Sequence, residues 1–227
     1  MEALKHPLDN IVYEKQKKPR KVHEWLTIKW EDIVPKPPSN SSLETQEELD
    51  HVFKAASLRE VAGWGDIIKQ VDNDSWKVFD NALLCSLSDS DRQMLKEMLN
   101  KTWPIVRDVV INLKRKFNRA RPEQLRGEIN PIITKTHQTP AYPSGHAAYG
   151  YTAAKIVSLV YPDLKEKTDI TSRLIAYARV VQGVHYPSDS TASKLLVEAL
   201  WNDINYKLFP EYFPASDWIK KRWRNTL

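Results

Sequence analysis

A single cysteine, Cys85, stands in the 227 residues, so no intramolecular disulfide can staple this chain. That scarcity favours an intracellular protein over a secreted one. The thiol sits in the apolar string ALLCSL and reads as a buried structural group. Glycine is scarce at 6, and Val, Ile and Thr dominate no long run, so little points to strands. Long apolar runs are missing as well. VVINL at 109–113 and IVSLVY at 156–161 are flanked closely by charge, which leaves no transmembrane span. The opening MEALKHPLDNIVYEKQKKPRK carries Glu2 and no continuous apolar stretch, so it does not read as a secretory signal. The expectation is a soluble protein, cytoplasmic unless a leader has been removed. No repeat and no low-complexity segment is present.

The length suits one compact domain with a full hydrophobic core. Residues 1–42 hold Pro7, Pro19, Pro35, Pro37 and Pro38 and read as an irregular arm, and residues 43–227 as a helical domain. Ser41 or Ser42 opens a helix over 43–58 with Leu43, Leu49, Val52, Phe53 and Ala56 on its apolar face. A second runs over about 66–86. Ser88 or Ser90 caps a third, and Pro104 begins a fourth that carries Val106, Val110, Leu113 and Phe117 along one stripe. After Pro122 a loop of about 20 residues follows, a length more often functional than idle. Further helices are expected at about 145–160, 167–182 and 188–206. In the tail, Ser216 is placed to cap a short amphipathic turn beside Trp218 and Trp223.

Charge is unevenly spread. Between Lys101 and Arg126 lie eight Lys or Arg against Asp108 and Glu123, whereas the whole chain nets only +5. Such a field attracts anions, although a solvated basic helix face has the same composition.

Three strings carry chemistry. In LKRKFNRARP, Lys114 and Arg121 stand seven residues apart, close to two helical turns, so they share a face. A point charge beside a planar fork suits a tetrahedral oxyanion. In YPSGHAAYGY, Ser144, Gly145 and His146 precede an apolar helix, whose N-terminal amides favour an anion. A capping or packing role for His146 is the plainer alternative. In YARVVQGVHYPSDS, His185 follows Gly183 in an inter-helix turn, and Asp189 opens the next helix. A carboxylate there can fix the tautomer of an imidazole and raise its basicity, or act as an ordinary N-cap.

Together K-x6-R-P, P-S-G-H and R-x5-H-x3-D, over 114–122, 143–146 and 179–189, resemble the three-part signature shared by PAP2 phosphatases and vanadium haloperoxidases. The chain looks most like the soluble class A acid phosphatases. The resemblance implies an all-α, single-domain helical bundle. It also implies hydrolysis of phosphomonoesters, with Lys114, Arg121, Ser144, Gly145, His146 and Arg179 around the phosphate. His185 would be the nucleophile, His146 the acid for the leaving alcohol, and Asp189 the partner of His185. No metal or other cofactor is implied, because Lys and Arg take the part of a divalent ion. Ala178 departs from the pattern, which usually has Ser there, and a lost hydrogen bond or altered packing is expected. With His146 titrating near its ordinary value of about 6.5, an acidic to neutral optimum follows.

Three other readings compete. Vanadium haloperoxidases hold vanadate in the same pocket. A lipid phosphate phosphatase would act at a membrane surface, and the Trp-rich tail suits an interface. Nucleic-acid binding through 101–126 lacks any accompanying motif, so no nucleic-acid partner is expected. The substrate is expected to be a phosphorylated small molecule or lipid; homo-oligomerisation is left open.

Overall fold

The computed structural model describes residues 19–132 and 139–212. Seven helices run through them: α1 (Leu43–Leu58), α2 (Gly65–Ala82), α3 (Asp89–Phe117), α4 (Pro122–Leu125), α5 (Gly145–Val160), α6 (Lys165–Val181) and α7 (Pro187–Leu208). No strand occurs among the described residues, and the fold is an all-α bundle.

Helix α5 is the hub, packed against α6, α3, α7 and α2. Its sequence explains this. Ala147, Ala148, Gly150, Ala153 and Ala154 are all buried, and small side chains let neighbouring helices approach closely. A Cβ at Gly150 would stand 3.3 Å from Ile175 Cγ2 of α6, so even alanine there would require the Ile175 side chain to give by a few tenths of an ångström. The core divides into one cluster around Phe79, Leu84, Leu99, Ile156 and Ile175, and another around Val106, Leu113, Leu196 and Leu200.

Two helices expected on either side of Pro104 are one. Ser88 caps it by accepting a hydrogen bond from Asp91 N, and it runs 29 residues through the proline. Proline inside a helix costs about 3 kcal/mol through the lost bond and the ring clash. Leu95 and Leu99 before it are buried in the first cluster, and Ile105, Val106, Val109 and Leu113 after it in the second. At about 1.5–3 kcal/mol for each fully buried aliphatic side chain, that packing outweighs the proline. Asn118, at φ 44°, ends the helix in the left-handed conformation, with its N–H on Lys114 O.

Ser42 caps α1, accepting from Thr45 N, but Leu43 is exposed rather than part of the buried face. The stretch 66–86 is also interrupted. Asp74 takes φ −158° and ψ 90°, breaking α2 in its middle, and the helix stops at Ala82 before a 3-10 turn, Leu84–Ser86. That turn sends Leu83 and Leu84 inward and leaves Cys85 exposed, contrary to the buried thiol its apolar neighbours suggest.

The described part of the arm, 19–42, lies along the bundle. Leu26 and Val34 enter the core, Thr27 N and Oγ1 donate to Asp203, and Tyr142 Oη donates to Pro35 O. The Trp218 and Trp223 tail and the Ser216 cap lie outside the described residues. No helix among the described residues is long and apolar enough to cross a membrane.

Candidate active site

The three strings meet at one end of α5. Backbone bonds join them: Ser144 N donates to Asp189 O at 3.1 Å, and Ala141 N to Arg119 O at 3.0 Å. Ser193 Oγ lies within bonding distance of both Ser144 O and Asp189 O, at 2.7 and 2.8 Å. Gly183 makes the turn before His185 at φ +88°. A Cβ there would also lie 3.0 Å from Ile129 Cγ2, so the position is closed to larger residues on two counts.

A cavity of about 440 Å³ opens at this junction. Lys114, Arg121, Gly145, His146 and His185 line it; Ser144, Arg179 and Asp189 are buried behind them. All eight residues named from the sequence are therefore brought together. Ser144 is the N-cap of α5, its Oγ accepting from Ala147 N at 3.4 Å. A Cβ at Gly145 would meet no protein atom within 4 Å, so the cavity is open at the helix start.

His185 Nδ1 lies 3.0 Å from Asp189 Oδ2. A carboxylate only accepts, so Nδ1 carries the proton and Nε2 keeps its lone pair. Arg121 Nη1 is 3.4 Å from that Nε2 and donates to Val184 O at 2.7 Å, while its Nε donates to Thr139 O at 2.7 Å. The same Asp189 Oδ2 accepts from Tyr186 N at 3.0 Å; Tyr186 is the N-cap of α7 and Asp189 closes a capping box from the third helical position, in place of the ordinary N-cap role open to it in the sequence. Lys114 Nζ donates to Ala141 O at 3.2 Å and to Pro140 O.

Crowding three cations into a buried pocket is costly, because burial and mutual repulsion both disfavour their charged forms. Burial, then Arg121, pushes Lys114 well below the usual lysine range. Burial, with Arg179 adding to it, brings Arg121 down to about 10, so it stays charged at neutral pH. His146 and His185 are held well below 6.5, first by burial. The chief electrostatic neighbours are Arg179 for His146 and Arg121 for His185. Both imidazoles are thus biased toward the neutral form, and the ordinary His146 value behind the expected acidic to neutral optimum does not apply in this pocket.

Several residues at the site escaped the sequence reading. Asp72 Oδ1 accepts from Arg179 Nη1 at 2.7 Å, with Arg179 1 % exposed. Asp72 and the helix-breaking Asp74 line the cavity because α2 breaks there. VDNDS, four consecutive polar residues inside a helical pattern, was the available signal. Trp103 and Tyr149 meet edge to face at 5.2 Å and form an apolar wall with Val71, Val110 and Ile111. From the long loop after Pro122, Thr139 lines the cavity, and residues 133–138 lie outside the described structure. Ala178 is fully buried in the core, where a serine hydroxyl would need a partner.

Residues 104–204, which hold all eight site residues, match the model of the PAP2 superfamily. A non-specific acid phosphatase of Providencia stuartii is 24 % identical over 172 residues, 72 % of this chain and 69 % of that protein. The fold is similar to a transmembrane PAP2-type phosphatidylglycerolphosphate phosphatase from Bacillus subtilis (TM-score 0.51, 15 % identity, 77 % of this chain and 90 % of the other). It is also similar to a bacterial vanadium-dependent iodoperoxidase (TM-score 0.59, 15 % identity, 81 % and 57 %). Over residues 104–204 the sequence thus matches the PAP2 superfamily, and the described helical bundle is similar in fold to these two structures.

Proposed function

We propose that the protein hydrolyses phosphomonoesters through a phosphohistidine on His185, without a metal ion. The observation that carries this reading is the His185 imidazole, protonated on Nδ1 toward Asp189 and presenting Nε2 to a cavity lined by Lys114 and Arg121. Nε2 attacks phosphorus as the ester P–O bond breaks, and His146 gives its proton to the departing alkoxide. Water then attacks the phosphorus of phosphohistidine with His146 taking its proton, so His185 leaves as the neutral base and inorganic phosphate forms. Lys114, Arg121 and Arg179 stabilise charge on the transferring phosphoryl oxygens, the work a divalent ion does elsewhere. A buried Arg179 Nε–H, with no acceptor among the described residues, supports this assignment.

Because His146 must carry a proton to act as acid, the dianionic substrate has to raise its affinity for that proton. The sign is fixed by linkage. An imidazole held below about 6.5 binds fewer protons folded than unfolded, so the ligand-free protein loses stability as pH falls through that value. An oxyanion in the cavity opposes this. Sulfate, which does not itself titrate here, should therefore bind with net proton uptake near pH 6, read as a heat that depends on the ionisation enthalpy of the buffer. Binding without proton uptake would contradict the assignment of His146.

The apolar wall of Trp103 and Tyr149 favours leaving groups with aromatic or apolar surface. Of a panel of phosphate esters, p-nitrophenyl phosphate should exceed glycerol phosphate in kcat/KM. The fold is also that of a haloperoxidase, so the same protein loaded with vanadate should be assayed for bromide oxidation. Bromination without phosphate release would overturn the reading.

A further inference from the structure

Asp189 does not face His185 alone. Its Oδ1 accepts from Arg119 Nη1 at 2.8 Å, and Arg119 Nη2 donates in turn to Glu48 Oε2 at 2.8 Å. Ser188 closes the group: its N and Oγ donate to Glu48 at 2.6 and 2.7 Å, and Arg119 Nη1 donates to its Oγ at 2.7 Å. The Arg119 guanidinium also stacks 3.8 Å from the centre of the Tyr186 ring. Asp189 is fully buried, Arg119 is 1 % exposed and Glu48 is 16 % exposed. Glu48 comes from α1, outside the segment that matches the superfamily.

We propose that Glu48 is a positioning residue for the reaction, acting through Arg119 to keep Asp189 the anion that orients and supports His185; this rests on the phosphohistidine reading above. The argument is one of charge. An arginine paired with Asp189 alone would form a neutral, dry ion pair, and a carboxylate so neutralised would hold the Nδ1 proton weakly. Glu48 divides the attraction of Arg119 between two carboxylates. The three groups together carry one negative charge at the Nδ1 edge of the imidazole, whose Nε2 edge has the Arg121 fork 3.4 Å away. As phosphorus bonds to Nε2 the ring becomes cationic, and that net negative charge stabilises it. Partners that orient a functional side chain from outside the site are commonly worth 10–100-fold.

The alternative is that Glu48 merely fastens α1 to the start of α7, and two substitutions tell these roles apart. Glu48→Gln keeps the size and an acceptor oxygen but removes the charge. Ser188→Ala removes part of the same fastening without changing charge. Single-turnover formation of the phosphoenzyme, sulfate affinity and melting temperature are to be read for both, using the full chain. Glu48→Gln should slow phosphoenzyme formation by about 10–100-fold with sulfate affinity within about threefold, while Ser188→Ala stays within about threefold on both. Glu48→Asp, which keeps the charge one methylene short, should recover part of the rate, and Glu48→Ala stands in if the Gln variant does not fold. A rate within threefold of the original in the charge-removed variant overturns the proposal. So does an equal loss in Ser188→Ala, or a Glu48→Asp rate no better than that of the charge-removed variant. Failure of the unaltered protein to form any phosphohistidine would instead sink the reading beneath it.

Discussion

His185→Ala should reduce turnover by about 10⁴-fold or more while leaving oxyanion binding nearly intact, because it removes the nitrogen that bonds phosphorus in the proposed mechanism. His185 is buried, yet its contacts are polar: Asp189 on Nδ1 and Arg121 beside Nε2. Truncation leaves Asp189 with Arg119 and Tyr186 N as partners, so its charge is not stranded. The expected signature is a collapse of kcat with sulfate affinity within a few fold and the fold retained by circular dichroism. Near-original kcat in this variant would remove His185 from the mechanism.

Arg121→Ala should fail in the opposite manner. Arg121 is the cation whose fork lies nearest Nε2, and its loss takes charge from both the bound ester and the transition state. One neutral donor aimed at developing charge is worth about 10²–10³-fold, and a charged, partly desolvated fork should be worth at least the upper end, about 10³-fold in kcat/KM. Sulfate affinity should fall with it. Stability is a separate matter. Removing the side chain leaves Val184 O and Thr139 O without a donor, at about 1–3 kcal/mol each, but relieves the repulsion among Lys114, Arg121 and Arg179. Melting should therefore change far less than activity. An Arg121→Ala protein with unaltered sulfate affinity would show that the cavity binds its anion elsewhere.

The parts of this molecule that were legible in the sequence are those whose signals are local. Lys114 and Arg121, the Ser144–His146 cap and the His185–Asp189 spacing are each set within one turn or one helix end, so short strings carry them. The same holds for the spans of α5, α6 and α7, whose ends lie within two residues of those expected. What escaped depends on distant partners. Glu48 lies in an ordinary acidic helix face, LETQEELD, and only the approach of Arg119 from 71 positions away gives it a role. Asp72 needs Arg179, 107 positions on. The continuous α3 illustrates the converse error. Pro104 is a strong local stop signal, and it lost to burial on both of its sides, a sum no short window contains.

The measurement that bears most directly on the account is a rapid-quench reaction with a ³²P-labelled ester, followed by mapping of the labelled residue. The account predicts stoichiometric, acid-labile and base-stable label on the peptide containing His185, and none in His185→Ala. Turnover with no covalent label, or label on another residue, would contradict it.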